Sequence, residues 1–236
     1  TDGTHNTAVG NESGQTITTG TCNTLIGSLS GQATTTGSNN TAVGTCALQS
    51  NTTASNNTAV GFCSLFTNTT ASNNTSVGRK ALQANTTGGS NSAIGLNALF
   101  SNTTGASNVA VGMSSLETNS TASNNTAIGF EALKDNTTGA SNVALGFEAL
   151  KANTTADNNI SIGHQSGLTT TTGTRNIGIG RGTLYTNNAN DNVAIGHTSQ
   201  LYTSSGANNT SVGSCAMQNN TTGENNTAVG LNVMLS

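Results

Sequence analysis

The feature that most constrains this chain is a glycine that recurs at a nearly fixed interval along its whole length. Fourteen glycines, each preceded by Val, Ile or Leu, are spaced 17 residues apart, except that 16 residues separate Gly180 from Gly196. An asparagine stands four residues before each of them. A fixed period of this kind is typical of a solenoid, in which each unit stacks on the next. Positions in the repeat are numbered here from this glycine as position 0, and the glycines are Gly10, Gly27, Gly44, Gly61, Gly78, Gly95, Gly112, Gly129, Gly146, Gly163, Gly180, Gly196, Gly213 and Gly230.

The composition of the unit favours short β-strands over helices. The consensus reads N-T-A-V-G-x-x-A-L-x-x-N-T-T-G/A-x-N, and Thr, Asn and Gly are weak helix formers. β-Branched residues at positions −3 and −1 suit a strand, and we expect a second strand around A-L. The glycine and the N-T-T stretch supply the corners. We therefore predict an all-β chain folded as a parallel β-solenoid (a β-roll) of about fourteen 17-residue turns, with two short strands per turn. An array of hairpins is disfavoured because none of the 36 asparagines is followed by glycine.

The overall composition excludes several classes of protein. Thr, Asn and Gly supply 44, 36 and 29 of the 236 residues, and hydrophobic residues reach only 32%. An ordinary globular domain has about 45–50% apolar residues, so a single compact core is not expected. Six Lys and Arg and a net charge of −3 argue against a nucleic-acid surface. No apolar run approaches the roughly 20 residues of a membrane-spanning helix, so we expect no membrane span.

Two rows of side chains are expected to stabilise the stack. The aliphatic residue at −1 and the leucine at +4 are predicted to form a thin continuous core. The asparagine at −4 is predicted either to form a ladder of amides between turns or to cap its own corner. The ladder residues are Asn40, Asn57, Asn74, Asn91, Asn108, Asn125 and Asn142.

Candidate modification and contact sites follow from the same register. Nineteen Asn-x-Ser/Thr sequons occur, and one phase of seven consecutive turns supplies glycosylation candidates at Asn51, Asn68, Asn85, Asn102, Asn119, Asn136 and Asn153. Cys46 and Cys63 share a phase in adjacent turns, so they are a disulfide candidate. Phe62, Phe130 and Phe147 occupy the variable +1 phase and are candidates for a lateral contact.

Catalytic chemistry finds no support in the sequence. The three histidines and nine acidic residues do not converge on one phase of the repeat. His164 and His197 share a phase, but Arg181 lies between them, which makes a poor metal site. We therefore expect a protein that is not an enzyme, with no cofactor and no metal.

The repeat resembles a known family of surface proteins. Asn192-Val193-Ala194-Ile195-Gly196 and the N-T-A-V-G…A-L…N-T-T-G copies resemble the head repeats of trimeric autotransporter adhesins and the arrays of phage tail-fibre-like and other surface-fibre proteins. The resemblance covers the whole chain. It implies a parallel β-roll, often trimeric, that projects from a cell or virion surface.

These observations lead to a functional expectation. Neither terminal repeat departs from the consensus, so residues 1–236 are expected to form a single uncapped solenoid domain. We predict a structural subunit of an extracellular fibre that assembles with copies of itself, end to end or laterally, and carries glycans. The alternative is a trimeric surface adhesin or a receptor-binding segment of a tail fibre.

Overall fold

The computed structural model describes residues 3–235 and shows an all-β chain. One three-residue strand precedes each repeat glycine, and the element between consecutive strands is a series of turns. The strands are β1 (Thr7–Val9), β2 (Thr24–Ile26), β3 (Thr41–Val43), β4 (Thr58–Val60), β5 (Thr75–Val77), β6 (Ser92–Ile94), β7 (Val109–Val111), β8 (Thr126–Ile128), β9 (Val143–Leu145), β10 (Ile160–Ile162), β11 (Ile177–Ile179), β12 (Val193–Ile195), β13 (Thr210–Val212) and β14 (Thr227–Val229).

The chain divides into two compact units, one ending at Ser123 and the other beginning at Asn124. In the first unit, strands β1 to β7 pair in chain order, each parallel to the next. In the second unit, strands β8 to β14 do the same. The predicted parallel β-solenoid with 17-residue turns is confirmed in each unit.

The register of the strands follows the sequence period. Thr41 pairs with Thr58, which lies 17 residues later. The shorter unit keeps this register, because Ile177 pairs with Val193 across 16 residues. The missing residue falls in the polar corner, where the Oδ1 atom of Asn190 accepts a hydrogen bond from the Thr174 N–H at 2.8 Å. A corner can lose a residue without shifting the strands because side-chain oxygens there replace the absent backbone acceptor.

The second strand predicted around A-L is wrong. Residues at +2 and +4 have left-handed backbone conformations, as at Cys46 (φ 58°) and Leu48 (φ 55°), which interrupt an extended strand. The amide at +2 donates to the preceding turn, as Cys46 does to the Ser28 carbonyl at 2.9 Å. The amide at +4 donates to the following turn, as Leu48 does to the Ser64 carbonyl at 3.0 Å. This segment is therefore a hydrogen-bonded corner that still connects adjacent turns.

The core lies on the opposite side of the strand from the one predicted. The small residue at −2 is buried, and so are the alanine or serine at +3 and the leucine at +4. Ala42, Ala47 and Leu48 are each 0% exposed, whereas the aliphatic side chains at −1 point outward. Alternation along the three-residue strand requires that −3 and −1 face out once −2 faces in.

Candidate functional site

The largest functional candidate is the outward side of the strands, formed by positions −3 and −1. We call these positions the outer rows. Every residue in them is Thr, Ser, Val, Ile or Leu, and no charged side chain interrupts them. In the first unit Val9, Ile26 and Ile94 are 58%, 40% and 43% exposed. In the second unit Leu145 and Val229 are 42% and 68% exposed.

Sequence reasoning missed this surface because it assigned the −1 residue to the core. The signal that could have revealed it is residue size. Position −2 is almost always Ala, Ser or Gly, and a narrow solenoid core has room only for small side chains opposite the leucine at +4. The larger −1 residue is left to solvent, where a parallel sheet is usually covered by another layer.

The predicted glycosylation asparagines lie inside the turns. All seven, at position +7, are 0% exposed. Asn68 is representative, because its Nδ2 atom donates to the Asn51 Oδ1 atom at 3.1 Å and to the Ala71 carbonyl at 2.9 Å. An N-linked sugar would replace a hydrogen on this atom and would have to occupy the core. The folded structure is therefore incompatible with glycans at Asn51, Asn68, Asn85, Asn102, Asn119, Asn136 and Asn153.

The asparagines at −4 form hydrogen bonds from turn to turn. The Asn23 Oδ1 atom accepts from the backbone N–H of Asn40 at 2.9 Å and from its Nδ2 atom at 3.1 Å. The Asn40 Nδ2 atom also donates to the Ala54 carbonyl at 2.9 Å. In the second unit Asn142 bonds to Asn125 in the same way. Both ends of the amide thus contact an adjacent turn, and the geometry is that of a ladder.

Cys46 and Cys63 lie at position +2 of consecutive turns, and both thiols are free in the structure. Burial raises the pKa of the Cys63 thiol, and the neighbouring Cys46 adds to the increase. Cys63 is only 8% exposed. A bridge between the two stays a prediction, since the register places them side by side without joining them.

The phenylalanines at +1 are partly exposed and interact along the stack. Phe62 is 46% exposed, with the Arg79 guanidinium carbon 6.0 Å from the centre of its ring. The rings of Phe130 and Phe147 stack with their centroids 5.3 Å apart, and His164 continues the stack at 5.1 Å. The exposed edges of these rings are available for contact, while their faces are largely used by each other.

A ladder of ion pairs borders the phenylalanine stack. The Lys151 Nζ atom lies 2.6 Å from a Glu131 oxygen and 2.7 Å from a Glu148 oxygen. Lys134 lies 2.8 Å from Glu131. Hydrogen bonds from Lys134 and Lys151 hold the pKa of Glu131 below its usual value, and bonds from Lys151 and Gln165 lower that of Glu148. The same contacts raise the pKa of Lys151.

Sites for metal and membrane were examined across residues 3–235. No group of three or more His, Cys, Asp and Glu side chains comes together there in an arrangement suited to a metal ion. The same residues contain no helix with the length and apolar character needed to cross a membrane.

Comparison of the chain with protein-family models, with curated proteins and with solved structures found no match. The class of protein is therefore defined by the fold alone, as a tandem-repeat parallel β-solenoid with an apolar outward sheet face. The resemblance to autotransporter heads and tail fibres stays a prediction.

Proposed function

We propose that this chain is a structural, non-enzymatic subunit of an extracellular fibre on a cell or virion surface. Copies associate laterally through the outer rows, extend end to end by continuing the backbone ladder, and carry glycans. The observation that carries the proposal is the uncharged outer face, on which aliphatic side chains at −1 remain more than a third exposed in successive turns, as at Ile179 and Ile195.

The physical argument concerns water. Burying apolar surface contributes about 25 cal/mol per Å², and soluble monomers rarely expose contiguous apolar patches larger than a few hundred Å². Because the turns are in register, each −1 residue lies next to those of the neighbouring turns, roughly 4.8 Å away. The face is therefore a continuous apolar surface, which favours packing against an identical face.

End-to-end extension is supported by the bonding between turns. Each strand passes its backbone hydrogen bonds to the next turn, and the amide ladder repeats with the same geometry. A solenoid edge that presents such unpaired groups is a template for another chain. A second copy in the same register would make the bonds that one turn already makes to the next.

Charges placed on the outer rows are expected to prevent lateral association. In the double variant Ile26→Lys/Ile94→Lys, each lysine replaces a side chain about 40% exposed in the first unit. We expect the sedimentation coefficient and the light-scattering mass to fall to those of a single chain. The matched control is Thr36→Lys/Thr87→Lys, which adds the same charges at exposed corner positions of the same turns.

The outcomes of this measurement separate the candidate functions. Wild-type filaments or open-ended oligomers seen by electron microscopy support the fibre subunit. Discrete particles of three chains would instead favour the trimeric adhesin or tail-fibre segment. A wild-type chain that stays monomeric at all concentrations tested would contradict both.

A further inference from the structure

The structure separates the sequons into rows with opposite environments. The row at +7 is buried, as described above. A second row lies at −5, where the asparagine precedes the ladder asparagine and a threonine follows at −3. We call it the exposed sequon row, and its members are exposed at Asn39, Asn56, Asn73, Asn124, Asn208 and Asn225.

The side chains of this row are held out by their backbone. Asn39, Asn56 and Asn73 have φ values of 59°, 62° and 65°. Their backbone amides donate to the preceding turn at 3.0 to 3.2 Å, which fixes the corner. Their side-chain amides make no hydrogen bond within residues 3–235. Each Nδ2 atom is therefore both positioned and accessible.

Asparagine is not needed at −5 for the backbone conformation. Ser90, Ser107 and Arg175 hold the same left-handed geometry, with φ values of 60°, 59° and 58°. Among the seven turns with asparagine at −5, six have threonine at −3, and the exception is Asn158 with Ile160. Among the seven turns with another residue at −5, only those of His5 and Cys22 have threonine at −3. The two halves of the sequon thus occur together.

Both halves also face the same side of the chain. The residue between them, at −4, is buried in the ladder, as Asn57 is at 1% exposure. Asn56 is exposed and Thr58 is partly exposed. An enzyme approaching from solvent can therefore contact the amide and the hydroxyl of one sequon together, without opening the turn.

We propose that the exposed sequon row is where this protein accepts N-linked sugars. In the transfer, the Asn56 Nδ2 atom forms a bond to the anomeric carbon of an activated sugar phosphate. The bond from that carbon to the phosphate oxygen breaks, the amide loses one proton to the transferase, and the phosphate group leaves. This inference depends on the proposed function only for a glycosylating environment, because the acceptor geometry belongs to the single chain.

The test compares two sequons that lie five residues apart. The folded full-length chain is treated with a soluble sequon-specific N-glycosyltransferase and UDP-glucose, and attachment is mapped by mass spectrometry. A synthetic peptide of residues 46–61 carries both Asn51 and Asn56 without the fold. We expect the peptide to accept glucose at both sites. We expect the folded chain to prefer Asn56 by roughly tenfold or more, because two side-chain hydrogen bonds must open before Asn51 is reached.

Two results would overturn the inference. One is a folded chain that stays unmodified at Asn39, Asn56 and Asn73, and the other is equal modification of Asn51 and Asn56. The variant Asn56→Ser keeps a residue found at −5 in other turns and should lose only its own signal. Sedimentation of the untreated chain tests lateral association separately, so either proposal can fail alone.

Discussion

At the scale of single residues, the repeat glycine is fixed by its backbone conformation and its surroundings. Gly44 has φ of +135°, a region that residues with a side chain rarely occupy. A Cβ atom on Gly44 would lie 2.6 Å from the carbonyl oxygen of Gly61 in the next turn. The close stacking of turns therefore depends on a missing side chain at this position, and this explains why the glycine recurs without exception.

Replacing this glycine is expected to destabilise the fold. For Gly44→Ala we expect a loss of about 1–3 kcal/mol in unfolding free energy from backbone strain, before the clash is included. Urea denaturation followed by circular dichroism measures the change. The control is Gly89→Ala, because Gly89 does not have a left-handed φ and Ala106 occupies the same position in the next turn. Equal losses in the two variants would show that the φ value is not the cause.

The ion-pair ladder gives the second unit a pH-dependent contribution to stability. Because hydrogen bonds to lysine lower the pKa of Glu131 and Glu148 in the folded state, their contribution is complete above the unfolded value, about 4.3. It is lost as the pH falls through the lower folded values, when the carboxylates become protonated.

The expected result is a shallower acid dependence in Glu131→Gln/Glu148→Gln. The melting temperature of the wild type should fall more between pH 6 and 3 than that of the variant, and the two should converge at low pH. Glu224→Gln is the control, since Glu224 is exposed and makes no ion pair within the described part of the chain. A parallel shift of both variants at every pH would contradict the assignment.

At the scale of the turn, positions −2 and +4 share one volume in the core. Most turns place alanine at −2 and leucine at +4, as Ala42 and Leu48 do. The second turn reverses the sizes, with Leu25 at −2 and Gly31 at +4. A Cβ atom on Gly31 would lie 2.6 Å from the Leu25 Cδ2 atom. Leu25, the one large residue at −2, thus fills the space that a leucine at +4 would otherwise occupy.

This exchange of volume predicts compensation between two substitutions. Leu25→Ala should cost about 2–5 kcal/mol through the cavity that it leaves. Gly31→Leu should cost about 1–3 kcal/mol through overpacking. The double variant restores the common arrangement, so we expect its unfolding free energy to exceed the additive value by more than about 1 kcal/mol. A double-mutant cycle by urea denaturation measures this coupling, and additive losses would show that the two sites are independent.

At the scale of the whole molecule, inner and outer surfaces have different uses. Within each unit the inner side of the strands is covered by the corner residues, and the outer side is left bare. The outer rows lie on the strand, whereas the exposed sequon row lies at the corner before it. A lateral contact and a sugar coat therefore occupy separate rows of the same turn, which is the arrangement that a decorated fibre subunit requires.

The sequence alone determined the period, the parallel register and the position of the corner glycine, because these depend on which residue recurs and how often. The leucine at +4 was also assigned correctly to the core. The tertiary structure decided which side of the strand faces inward. Left-handed residues at +2 and +4 turn the chain so that −2, and not −1, lies over Leu48 and its equivalents. That choice buries the amides at Asn51 and leaves Ile94 and Asn56 in solvent. A three-residue strand alternates equally well in either orientation, so only packing between the strand and its corner selects one.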